Sequence, residues 1–347
     1  MGAGNYFPRA SLALGLTAAL SVGAASAAAT ATSAAAAAAV AAVTATATSS
    51  AARQASTGKH ADAAGAICWS GAHPKLASRL SRGVLTALRG RSSVVGLKVD
   101  DTVKQVICDF HQDRRYYSAS VVKATILAAL LRKLMQEHRQ LTSAQRALAT
   151  EMITKSDNSA ASALWAEAGR RSIQHFLSLA RMKQTVLGPG GYWGLTLITA
   201  RDETTLLKLL TSKNKVLADS SRAYELALMA RVIPAQRWGV PAGAPADVTV
   251  HVKNGWLPYP GDDWHINSIG SFSGRHRNYT IVVLTAENPS MAYGVDTVQD
   301  IAEVINRDLN QGVTAVIPAS APFPSWGTAD ELIPAPQAGD KTGARPR

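Results

Sequence analysis

The chain has 347 residues, 47% apolar and 17% charged, with a formal net charge of +12. That balance excludes a miniprotein, a collagen-like fibre and a multi-span membrane protein, and the length allows one or two domains. The basic excess is scattered, with short clusters at Arg79, Arg82, Arg89 and Arg91 and at Arg114 and Arg115, and no aromatic ladder accompanies it. It reads as a solvated surface with weak attraction to an anionic cell envelope, and no nucleic-acid partner is expected.

Residues 1–27 read as an export signal. Arg9 is their only charge, Leu12 to Val22 form a short apolar core, and Ala25-Ser26-Ala27 has the small-x-small form of a cleavage site. An uncleaved anchor competes, because no charge occurs between Arg9 and Arg53. Ala and Thr enter lipid weakly compared with Leu, which favours cleavage and a secreted protein. Residues 28–65 form an Ala/Thr-rich low-complexity leader, 66–312 the foldable domain, and 313–347 a Pro-rich disordered tail. Two cysteines, Cys68 and Cys108, fall in the exported part. In an oxidising compartment they pair most simply as one disulfide, closing a loop of about 40 residues. The alternative is two buried thiols. Two Cys and eight His without metal-ligand spacing predict no metal site.

Pro74 opens a helix in which Leu76, Leu80, Val84 and Leu88 recur every four residues. Val94 to Val99 and Val103 to Phe110 follow as strands joined at Asp100-Asp101. Ala119 to Leu131 is apolar all round except for Lys123 and a few hydroxyls, so this helix is expected to be central and buried. Ser143 to Met152, Ser159 to Ala168, Ser172 to Ala180, Arg201 to Leu210 and Arg222 to Val232 continue as helices. The period then changes to two, with a strand through Val248, Val250 and Val252, then strands at His265 to Phe272 and Tyr279 to Thr285. Val295 to Leu309 closes the fold as a helix. The expected fold class is α+β: a five-stranded antiparallel sheet flanked by N- and C-terminal helices, with an all-helical lobe inserted.

Three short motifs carry chemistry. In Ser120-Val121-Val122-Lys123, three-residue spacing on a helix puts the hydroxyl and the amine on one face. Burial of Lys123 disfavours its ammonium form and makes it a usable base for the Ser120 nucleophile. Ser-x-x-Lys alone is weak, since Ser56 to Lys59 and Ser212 to Lys215 repeat it in a leader and a polar turn. Ser156-Asp157-Asn158 has an ordinary reading as a helix N-cap, beside a functional one as proton relay and orienting amide. Lys253-Asn254-Gly255-Trp256 ends a late strand, where Gly255 permits close backbone approach and the Trp256 N–H can serve an oxyanion. A literal Lys341-Thr342-Gly343 lies in the Pro-rich tail, with no strand around it.

Taken in this order, the three motifs resemble the class A β-lactamase and penicillin-binding-protein family over about residues 74 to 310. The resemblance implies a sheet lobe and a helical lobe, an acyl-serine mechanism on β-lactam or D-alanyl peptide amides, and no cofactor. It assigns Ser120 as nucleophile, Lys123 as its base, and Ser156 as proton donor to the departing nitrogen. Asn158 would hold the substrate amide, and Lys253 would anchor a substrate carboxylate. The N–H groups of Ser120 and Trp256 would form the oxyanion hole, worth typically about 3 kcal/mol per donor.

Three departures matter. The stretch from Ser120 to Ser156 is short, and Asn254 stands where Thr or Ser is usual, although its amide can also donate a hydrogen bond. Between Met182 and Asp202 there is no Glu to position a deacylating water, and Glu167 comes too early to replace one. The expected function is therefore a secreted, monomeric serine hydrolase acting on a β-lactam or peptidoglycan-like peptide. The alternatives are a D,D-peptidase or esterase, a penicillin-binding protein that deacylates slowly, and, least favoured, a purely structural wall domain.

Overall fold

The structure is a computed structural model that describes residues 66–258 and 263–320. Residues 1–65, read from sequence as an export signal and leader, and residues 321–347 lie outside the described residues. A mixed-length antiparallel sheet forms the centre, in the order β1-β3-β2-β8-β7-β6. Its strands are β1 (Cys68–Trp69), β2 (Val94–Asp101), β3 (Val106–Phe110), β6 (Thr249–Pro258), β7 (Trp264–Gly274) and β8 (Arg277–Asn288). The α+β class is as expected, but the sheet has six strands rather than five. The added strand, β1, is two residues long, too short for any period to show in sequence. Cys68 lies directly opposite Cys108 in the β1–β3 register, and the two form the disulfide.

Helices α1 (Pro74–Leu88) and α8 (Met291–Leu309) cover one face of the sheet. Leu80 and Val84 of α1 pack there with Val298, Ile301 and Ile305 of α8 against Val95, Leu97, Val99, Ile281 and Val283. The opposite face carries the helical lobe: α2 (Val122–Gln136), α3 (Ser143–Thr154), α4 (Asn158–Ala168), α5 (Arg170–Ala180), α6 (Ala200–Thr211) and α7 (Asp219–Ala230). Ile269, Val282 and Leu284 belong to that second core. Strand β8 thus alternates between two apolar layers, which is why it reads as a continuous apolar run. A two-stranded ribbon, β4 (Tyr116–Tyr117) with β5 (Leu197–Ile198), ties the entry of α2 to the 182–199 segment.

Helix α2 is buried on every side from Val122 to Leu131, as its composition predicts. The residues before it, Ala119–Val121, form a 3₁₀ turn rather than the first α-helical turn. At the other end of the chain, residues 313–320 are not a free tail. Ile317 exchanges backbone hydrogen bonds with Gly243 and Ala244, at 2.8 and 2.7 Å, and packs on the core through its side chain.

Two buried carboxyls are unused by this scaffold. Glu203 of α6 and Glu225 of α7 are fully buried, and none of their oxygens has a hydrogen-bond partner among the described residues. Burial raises both well above the usual carboxyl range, and Asp202 raises Glu203 further. A carboxyl pKa raised in the folded state favours folding fully below the ordinary value, and that contribution is lost as pH rises towards the folded value. Glu203→Gln is therefore expected to be near neutral at pH 4 and increasingly stabilising above pH 4.5, by about 1.4 kcal/mol per pH unit until the folded-state value is reached. Denaturant titrations of both proteins from pH 4 to 8 check this; a pH-independent offset would refute it.

Candidate active site

Ser120 sits half-buried in the 3₁₀ turn that leads into α2. Asn267 of β7 holds the entry to this turn by donating to the carbonyl of Tyr117 at 2.8 Å. The preceding residue, Ala119, has φ 45°, and Ser156 has φ 60°. Left-handed backbone costs a non-glycine residue about 1–2 kcal/mol, and here it falls at two of the three motif segments.

At the second residue of α2, one turn after Ser120, Lys123 is completely buried. Its amine donates to the Ser156 carbonyl at 2.6 Å, to Ser156 Oγ at 3.2 Å and to Asn158 Oδ1 at 2.7 Å. These partners come from the α3–α4 junction, where Asp157 caps α4 by accepting from the N–H of Ala160 at 2.6 Å. The capping reading of Ser-Asp-Asn holds for Asp157, while Ser156 and Asn158 face Lys123.

The third segment comes from the edge strand β6. Lys253, also buried, donates to the same Ser156 Oγ at 3.0 Å and to the Asn254 carbonyl at 2.9 Å. One hydroxyl therefore lies between two amines. Burial pushes Lys123 well below the ordinary lysine range, the positive charge of Lys253 adds to this, and Asp157 opposes it. Burial brings Lys253 down to about 7. Lys253 can thus exchange a proton near neutrality, and burial favours the neutral, basic form of Lys123, which an exposed lysine does not adopt.

Gly255 brings β6 against the 3₁₀ turn. A Cβ at this position would stand 2.6 Å from the Ser118 carbonyl oxygen and 2.8 Å from the Ser120 and Val121 backbone nitrogens. The 253–256 strand and the Ser120 turn are therefore in backbone contact.

Asn254 and Trp256 lie on the other side of the strand. The Asn254 amide donates both hydrogens, to the carbonyls of Gln236 at 2.8 Å and Trp238 at 2.9 Å, and is 1% exposed. Asn254 thus holds the 236–238 segment, and its donors are not directed to a substrate as the motif suggested. The physical reason is strand alternation: Lys253 and Gly255 face the helical lobe, so Asn254 faces the opposite layer. The Trp256 ring packs beside Trp238, with centroids 6.0 Å apart.

The 182–199 segment contributes Trp193. Its ring centroid is 4.8 Å from the Lys123 amine and its indole N–H donates to Ser162 Oγ at 3.1 Å. Tyr192 is only half-buried beside it. Glu167 stands exposed near the end of α4, bonded to Gln145. Sequence reasoning gave no role to Asn267, whose signal was a buried amide inside an apolar strand, and none to Trp193.

Comparison with known proteins follows the same outline. The β-lactamase enzyme family model matches residues 143–309, which includes Ser156 and Lys253. Among solved structures, a class A β-lactamase from Bacteroides cellulosilyticus has a TM-score of 0.60 at 18% identity, covering 67% of this chain and 98% of its own. The chain has the class A β-lactamase fold. TLA-3 extended-spectrum β-lactamase superposes with a TM-score of 0.61 at 15% identity, covering 67% of this chain and 98% of that one. A PBP-A variant, solved as an acyl-enzyme complex with penicillin G, has a TM-score of 0.58 at 16% identity, covering 67% and 96%. No curated protein sequence matches the chain. The resemblance read from the three motifs, to β-lactamases and penicillin-binding proteins, is the one that the family model and these structures display.

Proposed function

We propose that this β-lactamase-like protein is an exported serine hydrolase that opens β-lactam or related amide bonds through an acyl-Ser120 intermediate. The observation that carries the reading is the Ser156 hydroxyl held between the amines of Lys123 and Lys253, with the Gly255 backbone against the Ser120 turn. Neutral Lys123 takes the Ser120 proton as Ser120 Oγ adds to the amide carbonyl carbon. The carbonyl oxygen becomes an anion, received by the N–H groups of Ser120 and Trp256. When the C–N bond breaks, Ser156 passes a proton to the leaving nitrogen and is resupplied by its lysine neighbours. Asn158 holds the substrate amide, and Lys253 supplies positive charge for a substrate carboxylate. The Asn254 side chain takes no part, because its donors are already engaged.

Hydrolysis of the acyl-enzyme is the weaker half of the reaction. No carboxylate from 183–201 reaches the amine, and Glu167 faces solvent. This favours a second reading, a penicillin-binding protein or D,D-peptidase with slow deacylation. Export rests on residues 1–27 and agrees with the Cys68–Cys108 disulfide.

A fluorescent penicillin followed by intact mass over time tests the proposal. Wild type is expected to gain one penicilloyl mass and Ser120→Ala none. Rapid loss of label with product supports a lactamase, and a lasting adduct supports the binder. Equal labelling of both proteins, or neither label nor product from either, overturns the acyl-Ser120 reading.

A further inference from the structure

The Lys123 amine is enclosed. The Ser156 carbonyl, Ser156 Oγ and Asn158 Oδ1 stand around the nitrogen at 2.6, 3.2 and 2.7 Å. The Trp193 ring lies over the amine at 4.8 Å. A water bonded to the nitrogen and resting on the ring would need about 6 Å, a hydrogen bond plus a van der Waals contact, so none fits between them.

The ring is also firmly held. It is 2% exposed, and its N–H is bonded to α4, the helix that begins with Asn158. Val186 and Leu197 exchange backbone hydrogen bonds of 2.9 and 2.8 Å that close the segment carrying it. Arg170 donates to the Gly188 carbonyl at 2.6 Å, and the Ser118 N–H donates to the Thr196 carbonyl at 2.8 Å. The segment is thereby joined to the chain two residues before Ser120.

We propose that Trp193 keeps water from the Lys123 amine and so sets the lifetime of acyl-Ser120. This rests on the acyl-serine reading above. In deacylation a water oxygen adds to the acyl carbonyl carbon while a base takes its proton; Ser120 Oγ then leaves and recovers a proton. The base must be within hydrogen-bond reach of that water. With no carboxylate supplied by 183–201, Lys123 is the base at hand, and the indole occupies the approach to it. Trp193 is a positioning residue: it acts through Lys123 and the water, not on the substrate.

The experiment is adduct decay. Wild type, Trp193→Phe and Trp193→Leu are labelled with penicillin G, freed of excess reagent and followed by intact mass. Trp193→Leu is expected to label at Ser120 and lose the adduct at least tenfold faster, with Trp193→Phe, which keeps a ring over the amine, close to wild type. A wild-type adduct lifetime in Trp193→Leu overturns the inference alone. If Trp193→Leu does not fold, Ser162→Ala, which releases the indole N–H, takes its place: faster decay supports the inference and an unchanged lifetime overturns it. Absence of both a wild-type adduct and hydrolysed penicillin removes the acyl-serine reading, and this inference with it; hydrolysed penicillin with no lasting wild-type adduct overturns this inference alone.

Discussion

Lys123→Ala is expected to reduce penicillin labelling of Ser120 by about a thousandfold or more, the scale of losing a positioned general base. The protein is expected to keep a cooperative melting transition. The amine makes three hydrogen bonds to the α3–α4 junction, and truncation leaves the Ser156 carbonyl and Asn158 Oδ1 without that partner. A buried acceptor that loses its donor costs on the order of 1–3 kcal/mol. Removing a desolvated amine that also sits beside Lys253 acts in the opposite direction. The two effects offset, so stability changes far less than rate. Labelling kinetics and thermal melts on one preparation check this, and a wild-type labelling rate would refute the base assignment.

Gly255→Ala is expected to be nearly as damaging for a different reason. Its Cβ would meet backbone atoms of Ser118, Ser120 and Val121 at 2.6–2.8 Å, and backbone cannot rotate away as a side-chain tip can. Either β6 or the 3₁₀ turn must shift. A displacement near 1 Å at reacting groups costs about a hundredfold in rate, and overpacking costs about 1–3 kcal/mol in stability. Gly274→Ala is the control: its Cβ meets the Val248 side chain at 3.3 Å, at the far end of β7. It is expected to label at the wild-type rate. Equal labelling by both variants would show that the β6–turn contact is not needed for acylation.

Lys123 was legible because it interrupts an otherwise apolar helix, and a charge in such a place needs a reason. Gly255 was legible as a glycine in a strand, which marks close approach of another backbone. Asn254 misled because motif matching aligns residue types, whereas strand alternation decides which face each presents. Strand β1 was missed because two residues carry no period, and the docking of 313–320 because Pro-rich composition masks a local antiparallel pairing.

Trp193 shows the limit of local reading most clearly. Nothing near it in the chain distinguishes a cleft-lining aromatic from a core one, and its contact with the amine depends on how the loop closes across α4.

From residue order alone came the α+β class, the chain order of helices and strands, and the candidate serine and lysines. These follow from hydrophobic period and from the cost of burying charge, both local properties of the chain. The shared contact of Lys123 and Lys253 with one hydroxyl spans 97 residues between Ser156 and Lys253 and forms only when the helical lobe packs on the sheet. Folding is what lowers the two amines towards neutrality, because desolvation exists only once the lobe has closed over them.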